Sequence, residues 1–232
     1  ATSVQTRCRV QHRSGDRYQV DCYQGMQRIQ CCGHGLLAAA HALLAPGDQR
    51  CLDFGSGIWA ECMPDDDAQP EIRLHLPRIA CTSVDIPGWA LHLLHGAAGE
   101  PVTPVEAAST AEANGYLLLR LNERADLGSL LVDLSLITTS TRRAVLLWQH
   151  DAAQPGRVRT RYFAPQYGNA EDAATGSVLR VLGPHLQHVA GLDSFVVIQC
   201  SSGGGRMTAR NTDASVSISG NVQPVDSEEL PA

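Results

Sequence analysis

Two short segments of this 232-residue chain carry residue types that can move a proton or hold an anion. In the first, His34 stands between Gly33 and Gly35 at the head of the run Cys32-Gly-His-Gly-Leu-Leu-Ala-Ala-Ala-His-Ala-Leu-Leu44. In the second, Glu171-Asp-Ala-Ala-Thr-Gly-Ser177 leads into another apolar run. Each puts small residues just ahead of an expected helix N-terminus. There, unpaired backbone N–H groups and the helix dipole favour an anion such as a carboxylate. A His and a carboxylate serving one site can shuttle a proton, because His titrates near neutrality and a partly buried Asp can be raised towards it. On this reading His34 and Asp172 are candidate acid/base groups, and Gly33, Thr175, Gly176 and Ser177 candidate carboxylate holders. A plainer reading stands beside it: His34 caps its helix and Asp172 is an N-cap accepting backbone N–H groups. The spacing alone leaves both open. His41 follows His34 by seven residues on the same face and reads as a core histidine. His185 and His188 have i,i+3 spacing without a visible third ligand, and read as structural or exposed.

The elements that must position these turns follow from periodicity. The run from Cys32 to Leu44 is apolar nearly all round and is stopped by Pro46-Gly47, so it reads as a buried helix. Short strands are expected near Val10, over Tyr18–Tyr23 and over Ile72–Leu76. Past residue 100 the same order of parts recurs. Gly115–Leu121 reads as a strand, Leu127–Ile137 as an amphipathic helix, and Ala144–Gln149 and Val158–Phe163 as strands. A helix is expected from about Val178 to Val189, then closing strands at Phe195–Gln199, Met207–Arg210 and Val216–Ile218. A composition break at Gly96-Ala-Ala-Gly-Glu-Pro101 divides the chain into halves at 1–103 and 104–225, with 226–232 a frayed tail. The pattern is that of a duplicated unit of mixed helices and strands.

Composition excludes several classes. The chain is 44% hydrophobic and 18% charged, enough to bury a core. Its longest apolar runs fall far short of a membrane span, and no secretory signal pattern opens it. Net charge is −6 without a basic stripe, so nucleic acid is not an expected partner, nor is a membrane. All 18 basic residues are arginine. Without lysine there is no Schiff base, no lysine-anchored pyridoxal group and no Walker A loop. Seven of the eight cysteines lie in the first 81 residues, with no C-x-x-C pair. They read as buried free thiols acting as small hydrophobes in a cytoplasmic protein, rather than as metal ligands or a disulfide scaffold. Neither a metal nor an organic cofactor is implied.

The motifs carry a resemblance. The segment from Cys32 to Leu44 resembles the C-G-H-A-T-L-A-A-A-H-x-L stretch of the PhzF-like (phenazine biosynthesis) isomerases. Arg161-Tyr-Phe-Ala-Pro165, Gly168 and Glu171–Ser177 are similar to that family's R-x-F-A-P-x-x-G-x-x-E-D-x-x-T-G-S. Gln199-Cys-Ser-Ser-Gly-Gly-Gly205 resembles its Q-x-S-x-R-G-G, with Gly203 where arginine is usual. The resemblance implies a diaminopimelate epimerase-like fold of the α/β (α+β) class: two pseudo-symmetric halves, each a curved sheet or barrel around a central helix. It also implies a homodimer, and a cofactor-free proton shift that isomerises a dihydro-hydroxyanthranilic acid. Carried over by position, His34, Asp172 and Ser177 match the family's polar site residues, and Gly33 and Gly176 its substrate-contacting backbone.

Two departures accompany the resemblance. The family usually carries a further strand, turn and helix ahead of the first matching residue, and their lack would leave an exposed edge or a partner covering it. Its principal acid/base is a Glu, and counting back without gaps puts Gln5 at or next to that position. Residues 1–15 contain no carboxylate. Losing a positioned general base costs ~10²–10⁴-fold in rate. Racemisation by two opposed thiols is dismissed, since Cys32 holds the first such position but Thr175 the second. Two functions follow: an isomerase moving a proton on a small unsaturated or amino carboxylic acid, or a catalytically degenerate relative that binds a small acid or serves as an assembly partner. The retained His34, Asp172 and Thr175-Gly-Ser177 favour the first; the expected lack of the leading segment, Gln5 and Gly203 favour the second.

Overall fold

The computed structural model describes residues 6–24, 26–29, 32–45, 48, 50–63 and 71–220. Gln5, the Pro46-Gly47 stop and the 226–232 tail lie outside the described residues. The architecture is mixed α+β, with long sheets and few helices. The chain falls into two compact units, one drawn from Ala1–His75 with Ser219–Ala232 and the other from Leu76–Ile218.

In the first unit, β1 (Thr6–Ser14) and β2 (Arg17–Gln24) form an antiparallel hairpin with Cys8 opposite Cys22 and His12 opposite Tyr18. β3 (Gln27–Ile29) pairs with β2. The sheet continues through β4 (Cys51–Gly55), β5 (Ile58–Met63) and β6 (Glu71–Pro77) in the order β1-β2-β4-β5-β6. The β4–β5 turn has positive φ at Gly55, Ser56 and Gly57, which glycine adopts without a Cβ clash and Ser56 must tolerate. α1 (Gly33–Leu43) buries Gly33, Gly35, Leu36, Leu37, Ala39 and Ala40 and exposes His34. It starts and stops within a residue of the limits that its Ala/Leu content sets.

One histidine of this unit makes it sensitive to pH. His75 stacks on Trp59 at 3.6 Å and 4°, and its Nε2 lies 2.9 Å from Glu61 Oε1. Burial lowers its pKa below the usual 6.5, against the opposing pull of Glu61. Below pH 6.5 the unfolded chain therefore takes up a proton that the folded one resists, so stability is lost as pH falls. The urea midpoint is expected to drop between pH 7.5 and 5.5, and to drop less in His75→Gln. An equal drop in both proteins would remove His75 as the cause.

In the second unit the large sheet runs β18-β17-β16-β14-β13-β11-β10-β7. Its strands are β7 (Thr82–Val84), β10 (Glu106–Ser109), β11 (Tyr116–Arg120), β13 (Ala144–His150), β14 (Arg157–Ala164), β16 (Ser194–Gln199), β17 (Gly205–Asn211) and β18 (Ser215–Ser219). The β11–β13 and β14–β16 pairs are parallel. β15 (Asn169–Asp172) is an antiparallel branch on β14. A separate small sheet is formed by β8 (Leu94–His95), β9 (Pro101–Val102) and β12 (Leu131–Val132), and Gly96–Glu100 is the β8–β9 turn. Leu117, Leu119, Val145, Leu147 and Phe163 turn one face of the large sheet into a core with Leu93, Leu127, Leu130 and Ile137. The intervening Leu118, Leu146 and Trp148 are also buried, because both faces are covered.

α3 (Leu179–Ala190) carries Pro184, which has no N–H to donate to the carbonyl of Arg180. That carbonyl instead accepts the Ile79 N–H at 2.8 Å. Gly191, at φ +66°, closes the helix and bonds back to Gln187 O. The expected helix at Leu127–Ile137 is a correction. The helix here, α2, covers only Leu134–Ser140, with Asp133 Oδ1 accepting the Leu136 N–H as its cap. Leu127 and Leu130 are buried at the expected intervals, but their carbonyls accept the Arg161 guanidinium and β12 intervenes. Among the described residues no helix is long and apolar enough to cross a membrane.

Candidate active site

The loop from Asp172 to Ser177 is held by one buried side chain. β15 brings Asp172 opposite Tyr162 of β14, and the chain then turns into α3. Gln199, at the end of β16, is 2% exposed. Its Oε1 accepts the Thr175 N–H at 2.7 Å, and its Nε2 donates to the Asp172 carbonyl at 2.5 Å and to Thr175 Oγ1 at 3.3 Å. The Thr175 hydroxyl in turn donates to Asp172 Oδ2 at 2.7 Å. Ser201 Oγ ties down the Ala173 carbonyl at 2.7 Å. A Cβ at Gly203 would lie 2.9 Å from that of Ala173, and one at Gly205 2.9 Å from that of Ala174. Both glycines are therefore demanded by close approach, and residue 203 has no room for an arginine in this packing.

The adjacent carboxylates have separate fates. Glu171 forms a two-pronged ion pair with Arg161, Nε to Oε1 at 2.6 Å and Nη2 to Oε2 at 2.9 Å. Arg161 Nη1 also donates to Leu130 O at 2.7 Å and Leu127 O at 3.3 Å, and the guanidinium lies over the Phe163 ring. Glu171 is thus spent on structure. Asp172 keeps Oδ1 without a partner among the described residues. The plain N-cap reading of Asp172 does not hold for α3, whose N-cap position is Val178 with no side-chain bond. Ser177 is buried at 6% exposure, in the last turn before the helix, and Gly176 O accepts the Leu179 N–H. The structure therefore brings Asp172, Thr175 and Gly176 into one hydrogen-bonded entrance, with Ser177 buried next in the chain. Gln199 and Arg161 are the supporting residues that spacing arguments passed over; both stood inside the motif segments.

His34 and Gly33 belong to the first unit, and Asp172 to Ser177 to the second. Cys32, in extended conformation, is the residue before α1, and His34 is the second helical residue. His34 Nε2 lies 3.0 Å from Thr6 Oγ1 and 3.3 Å from Cys32 Sγ. The capping role read for His34 therefore falls to the Cys32 position. The Cys22 thiol, and then His34, lower the Cys32 pKa to about 5 against the burial that raises it. His185 is half-buried edge-on to Trp148, and burial lowers its pKa; His188 is exposed. Among the described residues no group of three or more His, Cys, Asp and Glu is arranged to hold a metal ion.

Comparison with known proteins gives the chain a family and a fold. The model of the phenazine biosynthesis-like protein family, PhzC-PhzF, matches residues 10–227. The chain belongs to this family. An uncharacterized isomerase of Pseudomonas aeruginosa is 25% identical over 222 residues, covering 94% of this chain and 79% of that protein. A phenazine biosynthesis-like domain-containing protein of Bos taurus is 42% identical over 62 residues, 26% of this chain and 22% of its own. The crystal structure of a PhzF-family phenazine biosynthesis protein from Enterococcus faecalis superposes with a TM-score of 0.72 at 18% identity, covering 93% of this chain and 78% of that one. One from Clostridium difficile gives 0.70 at 20%, covering 94% and 83%. These likenesses carry the fold, which is diaminopimelate epimerase-like. Arg161, Glu171, Asp172, Thr175 and Gln199 are the residues whose contacts build the α3 entrance.

Proposed function

We propose that the chain is an isomerase that shifts a proton on a small unsaturated or amino carboxylic acid without an organic cofactor. The observation that carries this reading is the Asp172–Thr175–Gln199 frame, which fixes one carboxylate at a helix entrance and leaves its other oxygen without a partner among the described residues. Asp172 and His34 are the proton-handling groups. Ser177 with the Gly176 and Gly33 backbones holds the substrate carboxylate, aided by the positive end of each helix dipole. Thr175 is a positioning residue, since its hydroxyl bonds Asp172 rather than solvent. The isomerase name of the Pseudomonas aeruginosa relative agrees with this chemistry. Homodimer formation belongs to the same proposal.

One observation favours a second reading, a small-acid binder without turnover. Gly203 stands where the family pattern has arginine, and it packs on Ala173 with no space for a side chain. Proton NMR of the protein with trans-2,3-dihydro-3-hydroxyanthranilic acid in D₂O separates the two. The isomerase reading expects product and deuterium entering the ring. Broadened or shifted substrate signals without turnover establish the binder; unchanged spectra exclude this substrate for both.

A further inference from the structure

The first unit gathers three thiols that the proposed proton chemistry does not use. Cys8 and Cys22 are opposed on the β1–β2 hairpin, with their sulfurs 3.0 Å apart. Cys32, at the start of α1, joins them: a Cβ placed on Gly35 would lie 2.6, 2.7 and 3.1 Å from the sulfurs of Cys8, Cys22 and Cys32. The absent side chain of Gly35 is what lets the three meet. Cys22 and Cys32 are buried, whereas Cys8 is exposed on β1, the outermost strand of this unit's sheet among the described residues. The expectation of buried, inert thiols therefore fails at Cys8, and at the exposed Cys51.

We propose that Cys8 and Cys22 are an oxidation site, which a hydroperoxide converts to a cross-strand disulfide. Directly opposed residues of an antiparallel pair have Cα atoms ~4.5–5.5 Å apart, inside the range that a disulfide spans. The Cys8 and Cys22 sulfurs lie within hydrogen-bond distance, and that contact lowers the Cys8 pKa, while Cys22 is raised by its contacts with Cys32 and then Cys8, so Cys8 is the better nucleophile of the opposed pair. In the first step the Cys8 thiolate attacks a peroxide oxygen; an S–O bond forms, the O–O bond breaks and hydroxide leaves. Cys22 Sγ then attacks Cys8 Sγ, forming the S–S bond and breaking the S–O bond. The Cys22 proton leaves with the hydroxide as water. In sum, two thiols and one hydrogen peroxide give one disulfide and two waters.

Cys51 is the internal reference, since it is exposed and its pKa is raised, first by partial desolvation of the thiol and then by Glu61. The test treats fully reduced protein at pH 7 with equimolar hydrogen peroxide, blocks remaining thiols with N-ethylmaleimide, and maps peptides by mass spectrometry without reductant. The expected result is a Cys8–Cys22 cross-link, cleaved by dithiothreitol, that forms about tenfold or more faster than Cys51 is oxidised. In urea-unfolded protein this preference disappears, and Cys8→Ser, a change at an exposed position, abolishes the link in folded protein. A rate no faster than that of Cys51, an equal rate in urea, or a Cys22–Cys32 link in its place overturns the assignment.

Discussion

Asp172→Asn is expected to cut turnover in the D₂O assay by ~10²–10⁴-fold, the usual cost of losing a positioned acid/base, while the thermal midpoint stays close to that of the parent. The asparagine oxygen can still accept the Thr175 hydroxyl, which now donates to Asp172 Oδ2 at 2.7 Å, so the entrance to α3 keeps its frame. Proton transfer is what the amide cannot do. The neighbouring Glu171→Gln change supplies the contrast. Glu171 is paired with Arg161, so its loss weakens the fold and leaves the chemistry largely in place. Parent-like turnover in Asp172→Asn, or an equal kinetic loss in Glu171→Gln, would sink the division of labour between the two carboxylates.

Arg161→Met is the substitution expected to cost most in stability. Arg161 is 9% exposed and makes two bonds to Glu171 and two to the carbonyls of Leu127 and Leu130. Breaking a buried pair by removing one partner typically costs 3–5 kcal/mol, because the remaining charge stays uncompensated. The Glu171 side chain is 23% exposed, so water recovers part of this and the lower end applies, about 3 kcal/mol. For a chain of this size that corresponds to a melting point lower by ~6–12 °C. Urea unfolding checks it, and Arg161→Met with Glu171→Leu should recover part of the loss. A single-variant loss under about 1 kcal/mol would mean that the pair is effectively solvated.

Much of the scaffold was legible because local chemistry decides it. The Ala/Leu run ahead of residue 44 became α1, and the run ahead of residue 190 became α3, within a residue or two of the expected limits. Six of the eight strands from Tyr116 to Ser219 match the apolar segments that predict them; β12 and β15 were not expected. The failure at Leu127–Ile137 is instructive. Leucines recur there at helical spacing and are buried as a helix face would be, yet two of the carbonyls a helix would use are taken by Arg161, more than thirty residues away in sequence. Periodicity reports which side chains seek the core, and does not report which backbone groups already have partners elsewhere.

The same distinction runs through the site. Residue type and spacing alone determined that two glycine-containing turns precede apolar helices, that His34 and the Glu171–Asp172 pair accompany them, and that lysine chemistry is absent. Adjacent carboxylates are interchangeable to a pattern of letters. Only the tertiary structure decided that Arg161 claims Glu171, that Gln199 and Thr175 fix Asp172, and that Gly35 draws the sulfurs of Cys8, Cys22 and Cys32 together. Each of these rests on a hydrogen bond or a close approach between elements distant in sequence, set by strand register and by the room a missing Cβ leaves.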